Sequence, residues 1–306
     1  MFKFIFQRLV QSVVVVFLVI TATFILVRQA PGDPFSSERK MPEHIKAKIM
    51  EHYGLDQPLH VQYWNMWKGL LQGDLGPSYT QTRTVNQVIA DTFPVSMELG
   101  LWALAIALAL GVTAGIIAAV FRNTTLDYAP MSLAMIGICL PTFVMGPIFQ
   151  LVFGIELGLF NVAGWFQPAD RFLPALTLGL VYAAIIARIT RGGMLEVLNQ
   201  DFIRTAQAKG VPFPIIIVKH TLKGGLLPVV TFMGPALAGI ISGSFVVETI
   251  FQIPGLGRQF VQSAFNRDYT LVLGTVIVYS TLITLANLLV DVVQVVLNPR
   301  LRFEDK

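Results

Sequence analysis

Asn287, Asp291, Gln294 and Asn298 step by four, three and four along an otherwise apolar run, which places them on one face of a helix. A carboxylate among amides in such a run faces inward, onto a cavity or onto an ion-pair partner such as Arg188 or Arg191, and both roles are open. Glu98 and Glu248 fall near the ends of two other apolar runs, where water can reach them. Lining of a path and local capping or pairing are both open for them too. The densest polar chemistry is Asp201-Phe-Ile-Arg-Thr-Ala-Gln-Ala-Lys-Gly210, followed by Leu226-Leu-Pro228. A basic, helix-forming loop held between two apolar runs has no part in anchoring, and it fits an element on which something soluble docks.

Catalytic patterns are missing. The chain has no Gly-Lys dipeptide and so no GxxxxGK[ST] phosphate loop, and GxSxG, HExxH and CxxC are absent. No catalytic residue, metal or cofactor is expected, and any ATP hydrolysis must come from another chain. His44, His52 and His60 recur every eight residues. That spacing turns neighbours roughly 80° apart on a helix, so they read as solvated surface histidines. The single cysteine, Cys139, excludes an intrachain disulfide and reads as a small packing residue.

The elements that must position these residues are set by composition. Apolar residues make up 54% of the chain, charged residues 13%, and the mean hydropathy is +0.66, more than one soluble core of 306 residues could hide. Roughly 20 apolar residues cross about 30 Å of hydrocarbon. Six stretches qualify: Leu9–Val27, Val95–Phe121, Ala129–Phe153, Phe172–Ala187, Leu226–Val247 and Leu271–Leu297, the fourth short and carrying Pro174. The expected fold is an all-α membrane protein of six spans. The first is read as retained, because its apolar run is too long for a signal core and lacks a small-x-small cleavage site.

Lys3, Arg8, Arg122, Arg188, Arg191, Arg204, Lys209, Lys219, Lys223, Arg300, Arg302 and Lys306 share one side if the N-terminus is inside, against Arg171, Arg258 and Arg267 in the short loops opposite. The positive-inside rule then puts both termini in the cytoplasm. The loop Arg28–Pro94 is too long for its charges to count. The pI near 9.2 is mostly this topology, and no basic cluster interleaved with aromatics suggests nucleic acid.

Within the long outer loop, Pro42, Ile45, Ile49 and Gly54 outline one short helix, and Leu59, Tyr63, Met66, Trp67, Leu70 and Leu71 a second, closed by Gly73-Asp-Leu-Gly76-Pro77. Gly111-x-x-x-Gly115 and Gly239-x-x-x-Gly243 allow close helix approach, and Pro141, Pro147 and Pro235 permit bends. In the inner loop Arg188–Gly225, Leu195, Leu198, Phe202 and Ala206 outline an apolar stripe, with Arg204 and Lys209 elsewhere and Gly210 as the stop. A helix lying on lipid headgroups would show the same pattern as one docked on protein.

Several segments carry a resemblance that spacing alone does not. Arg28-Gln-Ala-Pro-Gly-Asp-Pro34, Gly73-Asp-Leu-Gly76, Phe202-Ile-Arg-Thr-Ala-Gln-Ala-Lys-Gly210 with Leu227-Pro228, Glu248-Thr-Ile-Phe-Gln-Ile-Pro-Gly-Leu-Gly257 and Asn266-Arg-Asp-Tyr-Thr270 run nearly end to end. The chain resembles the inner-membrane permease subunits of bacterial peptide ABC importers, the EAA-loop group for dipeptides, oligopeptides and nickel. Within it the oligopeptide permease B subunit is most similar. Two departures are Gln207 where arginine is usual and Lys223-Gly224-Gly225 where alanine or asparagine is common. Arg204-Thr-Ala206 also stands in place of Glu-Ala-Ala, so no acidic contact to an ATPase is assumed.

The resemblance implies the type I ABC importer permease (MetI-like) fold in a bacterial inner membrane. It implies a sister permease, two ATP-binding subunits, a periplasmic or lipid-anchored peptide-binding protein and a peptide substrate. It also implies that Phe202, Arg204, Thr205, Ala206, Lys209 and Gly210 contact the ATPase. Residues 1–94 would form the first span and outer loop, 95–297 the five-helix core with its coupling loop at 188–225, and 298–306 a cytoplasmic tail. Dipeptides, glutathione or nickel chelates are alternative cargoes. A stand-alone secondary transporter is the competing class, but no internal repeat supports it.

Overall fold

A computed structural model describes residues 2–29, 50–51 and 54–297. Among them the secondary structure is helical, with one isolated antiparallel bridge between Pro77 and Thr84. The helices are α1 (Phe2–Gln29), α2 (Leu59–Leu71), α3 (Val85–Val120), α4 (Thr125–Cys139), α5 (Thr142–Phe149), α6 (Phe172–Leu198) and α7 (Asp201–Ala208). They continue as α8 (Phe213–Gly225), α9 (Leu227–Ile250), α10 (Leu256–Phe265) and α11 (Tyr269–Leu297). Among the described residues four helices are long and apolar enough to cross a membrane, or up to six where each of two bent pairs counts as one span.

α3 begins ten residues before its apolar run because Thr84 caps it. The Gln87 N–H donates to Thr84 Oγ1 at 3.3 Å while Gln87 Oε1 accepts from the Thr84 N–H at 3.2 Å, a reciprocal capping box. Pro94 lies inside α3 and forfeits one backbone bond without ending the helix. The fourth span is likewise longer than its apolar run, because Pro174 occupies the first turn of α6, where no backbone donor is needed.

The third span is broken where the sequence reads as continuous. Pro141 drives Leu140 to φ −90°, ψ 118°, so α4 ends and α5 starts afresh at an angle of 106°. Gln150–Glu156 then continues α5 as a π-helix. Cys139, at this bend, is exposed rather than packed. The second bent pair joins α8 to α9 at 47°.

α3 and α6 form the most extensive helix pair. A Cβ on Gly111 would stand 2.6 Å from the Ala183 carbonyl oxygen, and one on Gly115 2.6 Å from that of Ala187. Backbones can touch only because both sites lack a side chain. Leu99, Ala103, Leu173, Leu178, Ile240, Val247 and Phe251 complete a core shared by α3, α6 and α9.

α1 stands at the edge and packs chiefly on α11. Phe17 stacks on Trp67 at 5.2 Å, and Phe24 meets Tyr63 edge-on at 5.3 Å, so α2 clasps α1. The expected helix around Pro42, with His44 and His52, lies outside the described residues, as do 30–34 and 298–306. His60 is exposed, and no group of potential metal ligands occurs among the described residues.

Candidate functional site

α3 is 36 residues long, so its two ends stand roughly 50 Å apart. Polar chemistry gathers at both. At its C-terminal end, Ala119 packs with Met194 of α6 and Ile217 of α8, and Leu195, Leu198 and Leu222 close over them. α7 rests on the 216–221 segment of α8. Its seat is Ile203, 0% exposed, whereas Phe202 is 47% exposed.

The apolar stripe expected through Leu195, Leu198, Phe202 and Ala206 is thereby corrected. Asn199 and Gln200 interrupt the helix, so Leu195 and Leu198 belong to α6, and the helical phase restarts at Asp201. Ile203 faces in, Ala206 is half-buried, and Phe202, Arg204, Thr205 and Lys209 face out. Ile203 and Ala206 three positions apart were the available signal, once the break at Asn199 is recognised.

Asp201 supplies negative charge in the first turn of α7, and Arg204 Nη1 reaches its Oδ1 at 3.4 Å. Gly210 stops the helix at φ 77°, where its N–H donates to Gln207 O at 2.9 Å and the next N–H, of Val211, to Ala206 O at 3.1 Å. The loop also has a backbone-on-backbone seat. A Cβ on Gly193 would collide with the Gly225 carbonyl oxygen, and one on Gly225 would stand 2.7 Å from Met194 Sδ. The departure at Lys223-Gly224-Gly225 thus coincides with close contact between α8 and the tip of α6.

At the other end of α3, signature segments far apart in sequence converge. Asp268 is fully buried and receives the Ser78 hydroxyl, the Thr80 hydroxyl at 2.8 Å and the Thr80 N–H at 3.2 Å. Its other oxygen accepts from the Leu271 N–H at 3.1 Å, and the Thr270 hydroxyl bonds Pro77 O at 2.6 Å. Asp268 therefore caps α11 while holding the 77–80 turn that follows Gly73-Asp-Leu-Gly76.

Glu248 is 0% exposed, which corrects the expectation that water reaches it. Ser96 Oγ donates to its Oε1 at 2.7 Å and the Arg258 N–H to its Oε2 at 2.9 Å, so α9 holds both α3 and the first turn of α10. A Cβ on Gly257 would stand 2.9 Å from Oε2. The glycine of this segment makes room for the carboxylate.

The remaining polar candidates also find neighbours. Glu98 Oε1 pairs with Arg171 Nε at 2.9 Å. Asp291 pairs with Arg8 of α1 at 3.2 Å, not with Arg188 or Arg191. Arg191 is taken by Asp127, and Arg188 lies 2.9 Å from Met135 Sδ. Asn287 lies against α9, its Oδ1 2.8 Å from where a Cβ of Gly234 would be. Asn298 lies outside the described residues.

Residues 111–303 match the family described as the binding-protein-dependent transport system inner membrane component, and residues 1–100 match the N-terminal model of such components. The chain belongs to this family of inner-membrane transport components. It is 46% identical over 306 residues to the oligopeptide transport system permease protein OppB of Haemophilus influenzae, covering 99% of this chain and 100% of that one. The dipeptide transport system permease protein DppB of Bacillus subtilis is 42% identical over 308 residues, 100% of both chains. The inward-facing MetNI methionine ABC transporter superposes with a TM-score of 0.58 at 16% identity, covering 69% of this chain and 97% of that one. That likeness speaks for the fold alone. The permease is thus a multi-pass inner-membrane protein with an ABC importer permease fold, and its relatives are transport components rather than enzymes.

Proposed function

We propose that this permease is one of two membrane subunits of an oligopeptide importer, with both termini cytoplasmic. It pairs with a sister permease, receives peptide from a binding protein on the outer side, and is driven by two separate ATPase subunits docked at α7. The observation that carries this reading is the build of α7: one buried residue, Ile203, seats it, while Phe202, Arg204, Thr205 and Lys209 are presented outward. A soluble partner can grip such a face, and through its seat at Ile203 the helix can pass displacement to α8, which packs on the tip of α6. Membership of the family and identity to the Haemophilus influenzae protein support oligopeptides as cargo.

Glu98, Glu248 and Asp291 act here as ties between helices, since each is engaged by a neighbour. Asn287 is read the same way, as a packing contact to α9. Residues 1–94 form a peripheral span with its outer loop, 95–297 the core with the coupling loop at 188–225, and 298–306 a cytoplasmic tail.

Two measurements test the reading. A cysteine at the exposed Thr82 should react with an impermeant reagent added outside, and one at Thr205 should not; the reverse pattern overturns the topology. The purified permease alone should hydrolyse no ATP above background, with peptide-stimulated hydrolysis appearing only when both ATPases, the sister permease and the binding protein are added.

A further inference from the structure

An ion pair between a buried carboxylate at the start of α4 and a partly exposed guanidinium of α6 has no part in the site described above. Arg191 donates from Nε to Asp127 Oδ1 at 2.6 Å and from Nη2 to Oδ2 at 2.7 Å, a two-bond fork between planar groups. Asp127 is 1% exposed. Its Oδ2 also accepts from the Asn123 N–H at 3.0 Å, and Asn123 sits at φ 64°. Burying the Asp127 carboxylate carries a desolvation cost that an apolar contact of equal volume would not. The fork supplies what an apolar contact lacks: it fixes the rotation and register of one helix against the other.

Its place in the chain of contacts gives that rigidity a use. Arg191 lies one turn before Met194 and Leu195, which pack on Ile217 and Leu222 of α8. α7 rests on that same part of α8. α7, α8, the tip of α6 and α4 therefore form one unbroken series, in which the fork ties the tip of α6 to the first turn of α4, while the two helices also pack together as far as Gly137 and Leu180. The α4–α5 span is bent: α4 breaks at Leu140–Pro141, α5 leaves at 106°, and Leu133, Ile136 and Phe143 are exposed around the break.

We propose that Asp127 and Arg191 are positioning residues for energy coupling, transmitting displacement of α7 and the tip of α6 to the α4–α5 arm. The inference rests on α7 as the ATPase-docking element. The test is made on the full complex in proteoliposomes, with peptide uptake and ATP hydrolysis measured on the same preparation. Asp127→Asn and Arg191→Lys should each lower the peptide taken up per ATP hydrolysed by on the order of tenfold, while ATPase association and protein amount are held. The double variant should lose no more than the worse single one, because both act through one contact.

A structural staple gives a different result: uptake and hydrolysis fall together in proportion to protein amount, and the ratio stays at the wild-type value. That outcome overturns the proposal, as does a wild-type ratio in both variants at normal amount. Should Asp127→Asn fail to reach the membrane, Arg191→Lys, which keeps the charge but not the fork, decides alone. Ala206→Glu is measured in parallel. Survival of uptake in it removes α7 from the mechanism and the proposal with it, whereas loss of uptake there beside a wild-type ratio in Arg191→Lys overturns only the role of the fork.

Discussion

Asp268 and Glu248, near one end of α3, are buried carboxylates answered by hydroxyls from elements far away in sequence and by backbone donors nearer along the chain. Near the other end, Arg204, Thr205 and Lys209 are exposed on a helix seated by a single buried isoleucine. Both regions are polar and both carry signature residues, but the first is closed upon itself and the second is open. A closed network fixes the relation of α3, α9, α10 and α11, and its loss should be felt as stability. An open face adds little to stability, and its loss should be felt as function.

The hardest way to break the closed region is Glu248→Leu. It strands the donors from Ser96 and Arg258 in a buried site, at a cost of about 2–4 kcal/mol. Membrane abundance and thermal stability in detergent should fall sharply, and Glu248→Gln, which keeps one acceptor, should recover a large part of both. An abundance equal to wild type in the leucine variant would show that the network does not hold the fold.

Gly210→Val should reverse that pattern. A β-branched residue at φ 77° is strained by roughly 1–3 kcal/mol, localised at the end of α7. The protein should accumulate nearly normally yet lose peptide uptake more than tenfold, with ATPase co-purification as the companion measurement. Asp268→Asn is a milder probe of the closed region. It removes one acceptor from Ser78 and Thr80, so a loss of about 1–2 kcal/mol and a modest drop in melting temperature are expected, with uptake per molecule unchanged. The smallest stability effect belongs to Arg204→Ala, whose side chain is largely solvated. Its melting temperature should match wild type while the complex releases its ATPases more readily; tight retention would take Arg204 out of the contact.

Much of the architecture was legible beforehand. Four continuous apolar spans and two bent ones, the second outer helix and its stop at Gly73–Gly76, the close helix approach at Gly111 and Gly115, and the stop at Gly210 all follow from local rules, and each is found. The break at Leu140–Pro141 was less legible, because a proline inside an apolar run marks a tolerated kink as often as a stop. Ile203 was missed for a related reason. A stripe drawn across Asn199 assumes one continuous helix, and a two-residue interruption rotates the face that follows.

The sequence by itself determined which segments are apolar, where the glycine stops such as Gly210 fall, and which family the motifs resemble. Those properties reside in near neighbours along the chain, through periodicity, capping and the steric limits of proline and glycine. Only the tertiary structure decided who answers each charge. Asp291 takes Arg8 rather than Arg191, Arg191 takes Asp127, and Glu248 turns from water to Ser96 and the first turn of α10. The physical reason is that a buried charge is governed by desolvation and by the few donors within about 3 Å, and partners such as Ser96 and Glu248 are brought to that distance by packing alone, from 152 residues apart.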